Sequence, residues 1–457
     1  MIRNRRSEMG LFDFLFGKKK QDPSFTLGVV IFFKGEDNSS DLMVVGFVKG
    51  TIKVGDEIVV TKMSCVTETP VKTTVLSLMV PEGELQEASD TMVMARVQDG
   101  AKLDIYKGTV LHSENASDEQ RYNAYIAALG IAFVDEQECK LTKEDCEKLA
   151  ASDISEIWQL YYKAHAEEAK QFEAKQVLLK YKRREFYKLI REKLFLVDDV
   201  YVVYSVKTDE PYLFSHASED EKGSLSVTMP MAKLIPSSYI HNLKESFEKN
   251  ENFDFKRIDN GPDKEGIRNF IRDLFIYDGI RGIQYCGEKT TILAEQLVDL
   301  PRYKGIDEKE IPVTNPNVIK WLYLARQLGK LNTKDKKTLS QVYLYQFYEA
   351  LKTAKFIAPM RLHGYDQFLE DNPQTDVEPN IPFDLAMQPG KTKELTLKVY
   401  TDWKRLRKHY GEDCKALIVT LDEQLAFHDV VINPGDHPMA AAMITEELYN
   451  EVKKKTV

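Results

Sequence analysis

Val44-Val45-Gly46-Phe47-Val48-Lys49-Gly50-Thr51-Ile52-Lys53-Val54-Gly55-Asp56-Glu57-Ile58-Val59-Val60 decides how the N-terminal region folds. Two β-branched runs flank a short segment bracketed by Gly50 and Gly55. β-Branched residues suit extended, half-buried backbone, and glycine takes positive φ without a Cβ clash, which fits both corners of a tight turn. The stretch reads strand, turn, strand. Working outward, Phe25 to Phe33 is apolar without a helical period, and Leu42 to Val48 repeats the pattern. Glu57 to Met63, Lys72 to Met79, Thr91 to Val97 and Thr109 to Ser113 are further short runs parted by turn residues. Six short strands at this spacing predict a closed β-barrel over residues 24–115.

The residues of that stretch also carry a resemblance. Gly46, Lys49-Gly50-Thr51-Ile52-Lys53-Val54-Gly55-Asp56, Lys72-Thr73-Thr74-Val75 and Gly108-Thr109-Val110-Leu111 resemble domain 2 of elongation factor Tu and its relatives. The resemblance implies a barrel that contacts the ribosome or the aminoacyl end of a transfer RNA. Phe47 departs from the basic residue often found after the first glycine. The sequence contains no G-x-x-x-x-G-K-[ST] phosphate loop, so the expectation is no GTP.

The chain has 457 residues, which suggests about three domains. Lys and Arg number 63 against 72 Asp and Glu, a net charge of −9. Such a balance argues against nucleic-acid binding over the whole surface and leaves a local basic stripe open. Cys65, Cys139, Cys146, Cys286 and Cys414 are scattered, with no CxxC pair. Neither a zinc ribbon nor a thioredoxin-type site is written, and a reducing cytoplasm is the expected setting. No run of ~18 apolar residues is present to span a membrane. Residues 1–23 read as a flexible tail, with Met9 as an alternative start. Leu11 to Lys20 is apolar and then basic, so peripheral contact with an anionic membrane surface stays open beside a mobile extension.

Residues 116–176 read as a helical linker. Ser155 to Leu194 is rich in Ala, Glu, Lys, Gln and Leu and lacks Pro and Gly, which predicts one long connecting helix. Its middle, His165 to Lys175, is almost wholly polar, as in a helix that stands in solvent. His165 is accordingly expected to be solvated.

The remainder looks duplicated. Phe186-Tyr187 precedes Leu194-Phe195-Leu196 as Phe347-Tyr348 precedes Lys355-Phe356-Ile357. Leu274-Phe275-Ile276 through Ile283-Gln284-Tyr285-Cys286-Gly287 parallels Leu425-Ala426-Phe427 through Val431-Ile432-Asn433-Pro434-Gly435. Both are expected to close in a helix, Thr291 to Val298 and Met439 to Val452. The period of roughly 150 residues indicates two copies of one domain, residues 177–303 and 304–457. In the second, Val399-Tyr400-Thr401-Asp402 and Val431-Ile432-Asn433-Pro434-Gly435 resemble the strand end and closing turn of the SseB family N-terminal domain. That resemblance implies a bacterial α+β domain and no established reaction. The fold class expected is therefore α+β multidomain: a six-stranded β-barrel, a long connecting helix and two α+β SseB-like domains.

No catalytic constellation, cofactor motif or metal-ligand spacing emerges. His428-Asp429 and Asp436-His437 invite a metal reading, but adjacent side chains on a strand point to opposite faces. Trp403, Arg405, Arg407 and Lys408, with His428, Asp436 and His437, form the candidate interaction surface. The function expected is a non-catalytic adaptor of the bacterial cytoplasm with protein partners. Two alternatives stand beside it: a ribosome- or RNA-binding accessory protein, and an enzyme or small-molecule sensor with a site between the two C-terminal domains.

Overall fold

The computed structural model describes residues 24–455 apart from 35–39, 64–70, 135–138, 140, 216, 220–224, 228, 238–239, 241–251, 287–289, 329–333, 364–382 and 436. The tail over residues 1–23, with its membrane reading, lies outside the described residues, as does Cys65. The chain divides into two compact units. The first ends at Leu196 and takes in Pro236–Leu243 and Cys286–Thr290; the second holds Val197–Ile235, Lys244–Tyr285 and Thr291–Val457.

The first unit begins with β1 (Thr26–Lys34), β2 (Leu42–Lys49), β3 (Thr51–Lys53), β4 (Glu57–Thr61), β5 (Val71–Val80), β6 (Gly83–Leu85), β7 (Glu87–Ser89), β8 (Met92–Val97) and β9 (Val110–His112). Six of these run in the order β4-β9-β1-β2-β8-β5, and β5 pairs back onto β4, so the sheet closes into the expected barrel. Every pairing in the ring is antiparallel. Closure needs bent strands. Register shifts between Val29 and Ile31 in β1 and between Val75 and Ser77 in β5 supply the bulges that bend them. Alternate residues turn inward, so Leu27, Val44, Val48, Ile58, Leu78 and Val97 share one core. Gly50 and Gly55 have φ of 85° and 90°, as the turn reading requires. A Cβ on Gly50 would stand 2.2 Å from the Ser24 carbonyl oxygen, so the turn also needs the missing side chain for space.

Helices α1 (Asp118–Phe133), α2 (Lys143–Lys148), α3 (Ala151–Gln171) and α4 (Glu173–Leu194) follow. Ser117 and Gln120 form a capping box at the start of α1. This helix lies on β1 at Gly28, where a Cβ would meet the Ala124 carbonyl oxygen at 2.3 Å.

The single long helix expected over Ser155 to Leu194 is instead two helices. Phe172 is extended, with φ −125° and ψ 119°, and α3 and α4 fold back on each other around it. Trp158, Tyr161, Phe186 and Ile190 are buried in the seam. A straight helix would leave those aromatic faces wet, and at ~25 cal/mol per Å² their burial outweighs the hydrogen bonds lost at one break. The polar middle is therefore the turn of a hairpin. His165, expected on a wet face, is buried, with its ring 4.4 Å from Tyr161. A division of the chain at residue 176 falls inside α4.

The second unit holds the duplication. Its first copy comprises β10 (Asp199–Ser205), β11 (Glu210–Pro211), the ribbon β12 (Ala217–Glu219) and β13 (Leu225–Val227), β14 (Met231–Pro236), β15 (Phe253–Asp259), α5 (Gly266–Ile276), β16 (Gly282–Tyr285), β17 (Thr291–Leu293) and α6 (Ala294–Leu297). After α7 (Pro316–Gln327) and α8 (Lys334–Leu351) come β18 (Lys355–Leu362), β19 (Phe383–Leu385), β20 (Met387–Pro389), β21 (Leu395–Val399), α9 (Trp403–Tyr410), β22 (Lys415–Thr420), α10 (Leu421–Gln424), β23 (Asp429–Ile432), β24 (Ala442–Ile444) and α11 (Glu446–Lys455). In the first copy β10 pairs antiparallel with β11 and β15, β14 lies parallel to β16, and β17 runs antiparallel to β16. The second has like pairings, β18 against β19 and β22, β21 parallel to β23, and β24 antiparallel to β23. But β22 follows α9 where β15 precedes α5, and these strands form two sheets where their counterparts in the first copy form one. The closing segments expected as helices each pass through a strand before the α-helix: Thr291 opens β17 directly, and Met439 sits in a 3-10 turn over Pro438–Ala440 that leads into β24. β-Branched Thr291 and Ile292 pair edge-on with β16, which favours strand over helix at that point.

Candidate functional site

Asp402 caps α9, its Oδ1 accepting from the Arg405 amide at 2.9 Å. This cap sets the start of the helix that carries Trp403, Arg405, Arg407 and Lys408. Arg407 and Lys408 are exposed, and the Arg407 guanidinium sits 5.5 Å from the centre of the Trp403 ring. Arg405 turns inward, away from that face. Its Nη1 donates to Asp402 Oδ2 at 2.6 Å, and its Nη2 to Asp278 Oδ1 at 2.6 Å and to the Tyr323 hydroxyl at 3.4 Å. His428 is partly buried at the start of β23. His437 donates through Nδ1 to the Lys207 carbonyl at 3.0 Å. Asp436 lies outside the described residues. Of the described candidates, Arg405 thus leaves the exposed face that Arg407 and Lys408 present.

The Arg405 cluster joins the two copies within the second unit. Asp278 follows α5 in the first copy, Asp402 and Arg405 belong to the second, and Tyr323 comes from α7. Asp402 is wholly buried and Asp278 is 8% exposed. Burial lifts the Asp278 carboxyl to about 6; Arg405 opposes this, while the charges of Glu210 and Asp402 add to it. One guanidinium faces more negative charge than it can balance, so one carboxyl keeps its proton most readily. Burial works against charge on Arg405, but Tyr323, Asp402 and Asp278 outweigh it and hold the guanidinium protonated. Helix α7 also ties the copies by hydrogen bonds. Asn315 Nδ2, at its N-terminus, donates to the carbonyls of Lys355 and Thr401 at 2.6 and 2.9 Å. Gln327, at its C-terminal end, accepts from the Leu213 amide at 2.9 Å and donates to the Pro211 carbonyl at 2.9 Å. In this region the carboxylates, the guanidinium and the phenol are spent on one another.

Around β21 and β23 the two motif segments of the second copy meet. Their parallel register sets Val399 beside Ile432. Asn433 has φ 49°, and its Oδ1 accepts from the Thr401 amide at 2.9 Å while its Nδ2 donates to Thr401 Oγ1 at 3.0 Å. The Tyr400 hydroxyl donates to the Pro434 carbonyl at 3.1 Å. Cys286 occupies the equivalent place after β16, with φ 61°. Asp429 is buried under Thr392, whose amide and hydroxyl donate to it at 2.8 and 2.6 Å. Burial would raise this carboxyl, but those bonds and one from the Lys393 amide prevail and hold it below its ordinary value. It is a structural anchor. Among the described residues no three His, Cys, Asp or Glu side chains are placed to hold a metal ion.

The α3–α4 hairpin carries a surface outside the expected one: of the apolar residues of α4, Phe186 and Ile190 are buried, while Val177, Leu178 and Tyr181 are exposed. Phe172 and Val177 are 58% and 59% exposed, and Tyr181 is 56% exposed. Beside them Lys180, Arg183 and Arg184 are exposed, and among the described residues none has an acidic partner. Along one side of the seam a groove of about 210 Å³ is lined by Trp158, Tyr162, Ala166 and Ala169 from α3 and by Leu179, Lys180 and Arg183 from α4. The spacing of Lys180, Arg183 and Arg184 with Val177 and Tyr181 is helical, and only its placement at the end of a hairpin made it stand out. Elsewhere in the first unit Glu156 is lifted to about 7 by burial, against a bond from Tyr122. The neighbouring Asp153 accepts from the Tyr125 hydroxyl at 2.6 Å and caps the Ala150 amide at 2.8 Å. These contacts fasten α1 to α3.

No family model and no curated protein matches the chain. Among solved structures, translation elongation factor SelB from Methanococcus maripaludis in its apo form is similar at 23% identity and a TM-score of 0.19, over 22% of this chain and 21% of that one. The same factor with the GTP analogue GppNHp gives 21% identity and a TM-score of 0.19, over 23% of each chain. The chain thus spans less than a quarter of those proteins, and likeness of this extent bears no weight on function. Among the described residues no helix is long and apolar enough to cross a membrane.

Proposed function

We propose that this chain is a non-catalytic interaction protein of the bacterial cytoplasm, and that the α3–α4 hairpin is its docking surface for protein partners. One observation carries the reading: large apolar side chains and cations without partners stand together at the end of the hairpin. Soluble monomers seldom expose contiguous apolar area beside unpaired charge unless something covers it. The two C-terminal copies are read as SseB-like. The pairing of Thr401 with Asn433 supports that reading, because the family's two motif segments become one hydrogen-bonded unit. The barrel is read as a relative of translation-factor domain 2 that has kept the fold as a scaffold.

The test is affinity capture from the native host at low and high salt, with the wild-type chain and with a Val177→Asp/Tyr181→Asp variant. Both positions are exposed, so the variant is expected to fold. The expected result is a reproducible set of proteins that the variant loses. A set that the variant retains, or capture of ribosomes alone with strong salt dependence, overturns the reading.

A further inference from the structure

We infer that the occupant of the hairpin groove is an acidic amphipathic helix of a partner protein, laid along the seam as a third helix; this rests on the docking role proposed above. The groove floor is apolar: Trp158, Tyr162, Ala166 and Ala169 recur at helical spacing on α3, with Leu179 opposite. The two alanines leave a trough between ridges of larger side chains, the relief into which a third helix sets its own ridge. From residue 158 to residue 169 the floor runs ~16 Å, which three turns of helix cover. Its rim is cationic. Lys180 and Arg183 line it, and neither has an acidic partner among the described residues. The nearby carboxylates are already engaged, Glu167 with Lys170 at 2.7 Å and Glu168 with Lys175 at 3.2 Å. The chain as a whole carries −9, so this rim opposes the general sign of its surface.

That combination selects among occupants. A bilayer is flat and would not reach a concave floor. An RNA strand would satisfy the cations and leave the apolar floor wet. A helix with leucines on one face and glutamates flanking them fills the trough and neutralises the rim together, the groove mode of helix recognition.

The experiment uses the full chain and a synthetic three-turn peptide bearing Leu at i, i+3, i+4 and i+7 with flanking Glu. The controls are the same peptide with Lys in place of Glu, poly-uridine RNA and phosphatidylserine vesicles. Calorimetry is expected to show saturable binding of the acidic peptide alone. Binding is expected to vanish in Ala166→Trp, which fills the trough, and to weaken at least ~10-fold in Lys180→Glu/Arg183→Glu. Circular dichroism confirms that each variant is folded. Equal binding of the Lys peptide, indifference to Ala166→Trp, or binding of RNA or vesicles in place of the peptide overturns the inference. Host partners that survive Ala166→Trp but not the Val177→Asp/Tyr181→Asp change leave the docking role standing and overturn the helix in the groove. Absence of both partners and peptide binding overturns both.

Discussion

Asn433 shows how one residue type solves two problems. The chain leaves β23 in the left-handed region, which Asn enters more readily than other side-chain-bearing residues. The same side chain then saturates the amide and hydroxyl of Thr401, both buried. Asn433→Ala keeps the strained backbone and strips the Thr401 amide of its side-chain partner, while the hydroxyl keeps its bond to Asp402. The expected cost is about 2–4 kcal/mol, from the unsatisfied amide and the backbone conformation together. It would be measured as an earlier urea transition of the second unit, and an unchanged midpoint would refute the assignment. Cys286 takes the equivalent turn with a thiol, a weaker donor and acceptor than the amide of Asn433. The Asn-Pro-Gly turn was legible because Asn, Pro and Gly each have a narrow set of backbone roles. Arg405 was not legible, because a cation in Trp403-Lys404-Arg405-Leu406-Arg407-Lys408 looks like its exposed neighbours. Only the fold of residues 273–278 against α9 decides that it is buried, and no local pattern records that.

At the level of elements, the barrel and the doubled sheet were written plainly and the hairpin was not. The barrel strands are short, β-branched and punctuated by glycines whose φ the turns demand, so local preference and tertiary structure agree. The repeat could be read at the closing strands, where Ile283-Gln284-Tyr285 ends β16 as Val431-Ile432 ends β23. At the entry the likeness is of sequence only, since Leu194 ends α4 whereas Lys355-Phe356-Ile357 opens β18. The hairpin turns at Phe172, which is neither Gly nor Pro, within a run of strong helix formers on both sides. Tertiary burial of Trp158, Tyr161 and Phe186 overrides that propensity. The same burial encloses His165, whose Nε2 has no hydrogen-bond partner. A buried polar atom without a partner costs about 1–3 kcal/mol. His165→Leu fills a similar volume without it and is expected to raise the stability of the hairpin by ~1 kcal/mol. The check is a higher melting temperature with unchanged helical signal. A fall of similar size would show that the imidazole has a partner in solution.

For the second unit as a whole, the Arg405 cluster and α7 make two copies of a domain behave as one body. A buried ion network contributes little net stability when intact, yet removing one member strands the others. This asymmetry gives the unit a defined dependence on pH. The Asp278 carboxyl, lifted from 3.8 to about 6 by burial, is favoured by the fold in its protonated form. Its contribution is therefore fully present below pH ~4 and is lost as pH rises through about 6. Asp278→Asn mimics the protonated acid at every pH. Relative to the wild type, its unfolding midpoint is expected to rise between pH 4 and 7 and then to level off, by no more than ~3 kcal/mol in all. Arg405→Met should do the reverse, costing about 3–5 kcal/mol near neutral pH, because Asp402 and Asp278 then face each other without a cation. Paired melts of the three chains across that range test both statements. A flat difference between wild type and Asp278→Asn would mean that Asp278 is already ionised in the fold, with Arg405 as its full counter-charge. The junction would then be an ordinary salt bridge with no proton held between the copies.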